Sequence, residues 1–249
     1  MRSIHHDSLD STNDEARRLL SRYPGEALRV TAGRQTAGRG RHGRTWHAPR
    51  GGVWLSLAWP TTHEPTWYEA APLVAAWAAW RAVMTCIEKA GGSRLRIKWP
   101  NDLLLDGRKV AGILCEHAFE HTALIIGVGI NANLAADALP TNLRQPATTL
   151  RDVIGRAVDL PALTESLTHA LTAELTALDQ HGFTDHTRLG IEEHLAFRGR
   201  PVSLHAGGHA TPCPPGIIEG IAPNGGLTLN IAGQLETCTL GEVQQASTP

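Results

Sequence analysis

The run Gly38-Arg39-Gly40-Arg41-His42-Gly43-Arg44-Thr45-Trp46 packs three glycines, three arginines and a terminal tryptophan into nine residues. Glycine lets a backbone take conformations and close approaches that a Cβ forbids. Arginine carries a permanent charge in a fork matched to phosphate or carboxylate. Tryptophan offers a flat face on which a base can stack. The chemistry that suits all three is a lid, mobile when empty, closing over a nucleotide or an acyl-phosphate. Two other readings explain less. Gly38 to Thr45 nearly spells GxxxxGK[ST], with Arg44 in the lysine's place. A P-loop must run straight into a helix, whereas Pro49, Gly51 and Gly52 follow here and lead into a strand. An arginine–glycine arm for nucleic acid belongs in a more basic chain, and 23 Lys+Arg against 24 Asp+Glu leave a formal charge of −1.

Lys98-Trp99-Pro100-Asn101-Asp102 is a second cluster, at the end of an alternating strand. Asn101 and Asp102 are ordinary turn formers. Beside Lys98 and Trp99 they also make a polar site, in which Asp102 suits Mg²⁺ or an incoming amine that must be oriented or relieved of a proton. Lys109 follows across the Asp106-Gly107 turn, either as an edge-strand lysine or, with Gly112 permitting close approach, as a ligand-facing cation. Gly127-Val128-Gly129-Ile130-Asn131-Ala132 matches GxGxxA, but a dinucleotide fold needs a long helix next, and Pro140 comes too soon. Its glycines suit a ligand lying against a strand end, with Asn131 as a polar contact. Ser11-Thr12-Asn13 reads as a helix cap whose free N–H groups also suit polar ligand groups. His117 and His121, near Cys115, read as flanking a hairpin turn rather than holding a metal. HExxH and GxSxG motifs are absent, and no nucleophile–base pair stands out.

The elements that must hold these residues alternate between helix and strand. Thr12 and Glu15 fit a capping box opening a helix that Pro24-Gly25 ends. Strands are expected over 28–32 and 53–59, and an apolar helix over 70–87 with Trp77, Trp80 and Met84 on one face. Gly91-Gly92 stops it. Strands follow at 95–99, 103–105, 109–117 and 123–130, then a helix from Pro161 through Leu178 and a shorter one over 187–195. Beyond Gly199 come short β runs at 201–205, 216–221, 227–231 and 236–240, with Asn224-Gly225 as a hairpin turn. The boundary falls near Phe197, giving units 1–196 and 197–249.

The chain of 249 residues is long enough for a normal core. Four cysteines without a CxxC argue against zinc or a disulfide framework and fit a reducing cytoplasm. Pro72 and Arg81 break the apolar stretch of 70–87, so a buried helix is expected rather than a membrane span.

Taken together, Ser11-Thr12-Asn13, Gln35 to Trp46, Lys98 to Leu103, Arg108 to Leu114 and Gly127 to Asn131 resemble, in order and spacing, the biotin–protein ligases. The resemblance implies an α+β fold, a mixed sheet with flanking helices of the class II synthetase-like type, plus a small C-terminal SH3-like β-barrel. It implies activation of biotin by ATP, with Mg²⁺, to biotinyl-5'-AMP, then transfer to a lysine of a biotin carboxyl carrier domain. Biotin would meet Ser11, Thr12, Asn13, Gln35, Gly38, Arg39, Gly40, Arg41, Lys109 and Gly112. The nucleotide would meet Arg41, Arg44, Lys98, Asn101 and Asn131, with Trp46 as the adenine platform. Arg41, Lys109 and Asp102 would be catalytic, and Asp102 would hold the metal. Only ten residues precede Ser11, so no DNA-binding domain is expected, and no nucleic-acid or membrane partner; the protein would act as a monomer or homodimer. The competing readings are a lipoate-type ligase and a non-catalytic nucleic-acid-binding module.

Overall fold

Strand alternation decides where chemistry is possible in this fold. The computed structural model describes residues 1–87, 94–135, 138–140, 143, 145–205 and 213–245. Among them β1 (Arg2–His6), β2 (Leu28–Ala32), β3 (Val53–Pro60), β4 (Leu95–Lys98), β5 (Asp102–Leu105), β6 (Arg108–Ala118) and β7 (Ala123–Ile130) form one sheet, ordered β1-β2-β3-β7-β6-β5-β4. Only the β1–β2 pair is parallel. β1 has no counterpart in the sequence reading. Its run Arg-Ser-Ile-His-His offers a single strong β former, and pairing with β2 supplies what the pattern lacks.

One face of the sheet is largely apolar across its central strands. Leu55 and Leu57 of β3, Leu124, Ile126 and Val128 of β7 and Ile113 of β6 pack beneath α2 (Ala71–Ile87) and α4 (Leu160–His181). The opposite face changes character along its length. At one end Leu28, Val30, Ala58 and Ile125 meet Ala16 and Leu20 of α1 (Thr12–Leu20). Towards the other end the same face carries Ser56, Gly127, Gly129 and Gly112. Register sets Ser56 opposite Gly127, and Gly112 opposite both Gly129 and Asp102. Side chains too small to fill the space leave a cavity there.

One local expectation is corrected. The cap of α1 is Ser11, whose Oγ accepts the Asp14 N–H. Thr12 is not the cap, because Gln35 takes both its N–H and its hydroxyl, and Glu15 pairs with Arg18. The fully buried face of α2 is alanine-rich: Ala75, Ala76, Ala78, Ala79 and Ala82 let it approach the sheet and α4 closely. Trp77, Trp80 and Met84 are only partly buried, and both indoles stack near His194. The segment Pro65–Ile87 is long and apolar enough to cross a membrane, and 61% of its most apolar stretch is buried in this fold. The Gly91-Gly92 stop lies outside the described residues.

α3 (Leu150–Ile154), which the sequence reading omitted, and α5 (Asp185–Glu193) complete the α-helices among the described residues. A second, antiparallel sheet of SH3-like type combines β8 (Pro201–His205), β9 (Cys213–Ile221), β10 (Leu227–Ile231), β11 (Gln234–Cys238) and β12 (Glu242–Gln245), ordered β11-β10-β9-β8-β12. β11 starts two residues earlier than the pattern 236–240 suggested, and β12 was not expected. The Asn224-Gly225 turn joins β9 to β10, and its glycine carbonyl accepts the Trp99 indole N–H at 3.0 Å. A Cβ on Gly225 would lie 2.9 Å from Ala70 Cβ, so this turn seats the second sheet on the first only with glycine present.

Candidate active site

The glycine face opens into a cavity of about 210 Å³. Its inner end is built by the first turn of α1. Thr12 N–H donates to Gln35 Oε1 at 2.7 Å, and the Thr12 hydroxyl lies 3.0 Å from the same oxygen. Ser56 Oγ, fully buried, lies 2.7 Å from Thr12 Oγ1 and 2.6 Å from Asn13 Oδ1. Two hydroxyl protons therefore serve three oxygen–oxygen contacts. The cluster is short of donors and suits an incoming N–H. Asn13 sits flush against β7 because Gly127 has no side chain; a Cβ there would come within 2.2 Å of Asn13 Oδ1.

Trp46 divides this neutral end from a cationic one. Its indole lies over Gly129 and Gly112, where added Cβ atoms would come within 2.6 and 3.0 Å of it. It meets Trp54 edge to face, with centroids 6.3 Å apart. The Lys109 ammonium stands 5.3 Å from the indole centroid and 2.6 Å from Asp102 Oδ1. Asp102 is buried beside Gly112, so the ion pair is held on the sheet rather than in solvent. Among the described residues, two buried polar atoms here have no partner: the Trp46 indole N–H and Asn131 Oδ1. Asn131 is otherwise fixed, its Nδ2 donating to the Thr148 carbonyl.

The arginine loop is folded across the mouth. Arg41–Gly43 make a single 3₁₀ turn, with φ near +57° at His42 and +70° at Gly43, closed by Gly40 N–H to Arg44 O at 2.7 Å. Its three arginines have different partners. Arg39 is clamped by two carboxylates, Asp14 and Glu116. Arg44 pairs with Glu242 of β12, so the second sheet contributes to the mouth. Arg41 forms no ion pair among the described residues and donates to Asn101 Oδ1 at 3.0 Å. Burial draws its guanidinium below the ordinary arginine range, with Asp102 and Glu242 opposing. It is the loop arginine with charge to spare for a ligand anion.

Most of the residues proposed from sequence line this one cavity. Ser11, Thr12, Asn13 and Gln35 stand at the neutral end; Arg41, Asn101, Asp102, Lys109 and Asn131 at the charged end. Gly40, Arg44, Trp46 and Gly112 lie between or above them, and Arg39 reaches the wall. Gly38 and Lys98 do not line it. Gly38 braces the Trp46 backbone, and Lys98, buried behind the wall, donates to Gln145 Oε1. His117 stacks on Phe119, and His121 contacts Ser21 instead. Burial pushes the Cys115 thiol up to about 12, too high for a thiolate nucleophile at neutral pH. Sequence reasoning missed Ser56, Glu116 and Glu242. The first two carried a signal, since each is a polar residue interrupting a strand of apolar ones.

Residues 6–133, which include all of the neutral end and most of the charged end, match the model of the biotin/lipoate A/B protein ligase family. The chain belongs to this family. Within it, the chain is 34% identical over 229 residues to the biotin–[acetyl-CoA-carboxylase] ligase of Paracoccus denitrificans, covering 88% of this chain and 90% of that one. It is 37% identical over 185 residues to the bifunctional ligase/repressor BirA of Bacillus subtilis, covering 73% of this chain. The match spans 56% of the length of that relative. Among solved structures, the biotin protein ligase from Aquifex aeolicus in complex with biotin and ATP superposes with a TM-score of 0.81 at 26% identity, over 98% of this chain and 97% of that one. The biotin protein ligase fold expected from the sequence is therefore the fold observed.

Proposed function

We propose that this chain is a biotin–protein ligase that joins biotin to ATP as biotinyl-5'-AMP and passes the biotinyl group to a lysine of a carboxyl carrier domain. The observation that carries the reading is the polarity of this cavity: a neutral cluster short of donors on one side of Trp46, and on the other Arg41, with no ion-pair partner among the described residues, beside Lys109, paired with Asp102. Biotin's ureido ring brings N–H donors to the first, and its carboxylate reaches toward the second, where ATP brings phosphates. The named relatives and the Aquifex structure with biotin and ATP support the same assignment.

The proposed chemistry has two steps. A biotin carboxylate oxygen attacks the α-phosphorus of ATP, the bond from that phosphorus to the bridging oxygen breaks, and pyrophosphate leaves. A neutral lysine ε-amine then attacks the acyl carbon, the bond to the AMP oxygen breaks, and the amine sheds a proton. Lys109 and Arg41 stabilise charge that develops on the phosphoryl and acyl oxygens. Asp102 fixes the Lys109 ammonium and is the carboxylate placed to receive the amine's proton. Trp46 walls off the anhydride from water, and its unpartnered N–H and Asn131 Oδ1 stand ready for ligand atoms. Among the described residues no group of three His, Cys, Asp or Glu side chains is placed to hold a metal. A Mg²⁺ would be held by Asp102 at the charged end, where it would offset phosphate charge. A cytoplasmic setting suits the free thiols of Cys86 and Cys115.

Pyrophosphate–ATP exchange measured with biotin and with lipoate side by side tests the proposal. Exchange dependent on biotin is expected. Exchange with lipoate alone, or with neither, sinks it.

A further inference from the structure

Glu116 belongs to none of the groups that meet ligand in the proposed reaction, yet it touches Asn13 at the neutral end and Arg39 at the root of the arginine loop. It lies on β6, two residues beyond Leu114 and four beyond Gly112, on the glycine face. Its Oε2 accepts the Asn13 amide N–H at 2.8 Å. A carboxylate accepts and cannot donate, so this contact fixes which way the Asn13 amide faces. With Nδ2 turned to Glu116, Oδ1 must face Ser56 and the donor-poor cluster.

The same carboxylate takes two parallel bonds from Arg39, Nη1 to Oε1 at 2.9 Å and Nη2 to Oε2 at 2.8 Å. Asp14 takes two more, from Nε at 3.2 Å and Nη2 at 2.6 Å. All three guanidinium nitrogens are thus spent on protein carboxylates, and Arg39 straps the root of the loop to α1 and β6 together. Fork-to-fork pairs of this kind are directional as well as strong. Burial opposes ionisation of Glu116, but the bonds from Arg39 and Asn13 outweigh it and leave the carboxyl below its ordinary range.

We infer that Glu116 is a positioning residue that couples the two halves of the site, orienting Asn13 for the vitamin ring and anchoring the arginine loop over the nucleotide through Arg39. The inference deepens the ligase reading and rests on it. In this arrangement Arg39 acts as a strut, and Arg41 answers the ligand's charge.

Glu116→Gln separates the two roles. The glutamine carbonyl still accepts from Asn13, whereas the charge facing Arg39 is gone. Trypsin cleavage at Arg41 and Arg44 of the ligand-free protein is expected to speed up about tenfold, as for loss of a charge-assisted pair. In biotin-dependent exchange, KM for ATP is expected to rise by about the same factor, with KM for biotin within about twofold. Arg39→Met leaves the Glu116–Asn13 bond in place and is expected to give the same two changes, so it carries the test if Glu116→Gln folds poorly. Cleavage at the parent's rate in both variants, or equal rises in the two KM values, overturns the inference. The cleavage assay needs no ligand, so it stands apart from the question of biotin: a parent protein without biotin-dependent exchange refutes the ligase reading instead.

Discussion

The two ends of the cavity differ in how completely their polar groups are spent. At the neutral end Ser56, Thr12, Asn13, Gln35 and Glu116 bond one another across α1, β3, β6 and the segment that follows β2. The arrangement is rigid before any ligand arrives, because every member is fixed by the next. At the charged end Arg41 has a neutral partner, Lys109 a single carboxylate, and two buried polar atoms have none among the described residues. A buried group without a partner costs free energy until something bonds it. One end therefore recognises a shape already cut for it, and the other completes its bonding only when an anion enters. Specificity for the vitamin and stabilisation of the transition state are thereby placed in separate halves of one pocket.

If that division holds, substitutions should sort by kinetic parameter. The largest effect is expected at Lys109. Lys109→Met removes the fixed cation nearest the forming acyl-phosphate and should lower kcat for biotin-dependent exchange by about 10²- to 10³-fold. Biotin affinity by calorimetry should change far less. An equal loss in both would mean that the two halves are not separate. The next effect is expected at Gly127. Its Cβ would sit 2.2 Å from Asn13 Oδ1, so Gly127→Ala must displace the amide that faces the ring. KM for biotin should rise about 10- to 100-fold, the cost of a buried polar group misplaced by one bond, with kcat within a few-fold. Gly112→Ala sharpens the contrast. The added atom meets the flexible end of Lys109 at 3.2 Å and the Trp46 ring at 3.0 Å, so its milder effect should fall on kcat.

The charged end was legible in the sequence because its residues cluster by type. Arginines, a lysine and an aspartate gathered near glycines advertise an anion site whatever the fold. Most strands were legible for a similar reason, since β2, β8 and β10 carry alternation within themselves. What stayed hidden depends on pairing. Ser56 matters because register sets it opposite Gly127 and beneath α1, and Glu116 because β6 continues past the glycines to meet Arg39. Glu242 reaches Arg44 only because the second sheet docks through Trp99 and Gly225. β1 forms because β2 offers it an edge. A polar residue interrupting an apolar strand can be seen in the sequence, but the partner that gives it a role lies in another segment.

The smallest predicted effect tests whether the neutral end is held from outside as well as from within. Asp10 precedes the cap of α1. Its carboxylate takes two bonds from Arg18, at 2.8 and 3.0 Å, and accepts the Ser11 N–H at 2.7 Å. The Arg18 hydrogen bonds, against some desolvation, lower its pKa from 3.8 to about 2. The sign follows from linkage. As pH falls, the unfolded chain takes up the proton first, so the stabilisation is fully present above pH 3.8 and is lost as pH drops toward about 2. Both partners are largely exposed, so solvent screening keeps the pair's worth at about 0–1 kcal/mol. Asp10→Asn should lower the melting temperature at neutral pH by no more than about 2–4 °C and flatten the acid limb of the stability curve between those two pH values. KM for biotin should stay near the parent's, because Ser56 and Glu116 hold Thr12 and Asn13 without help from Asp10. A large rise in that KM would show that α1 is steered from its exposed side, and the neutral end would then be no more pre-built than the charged one.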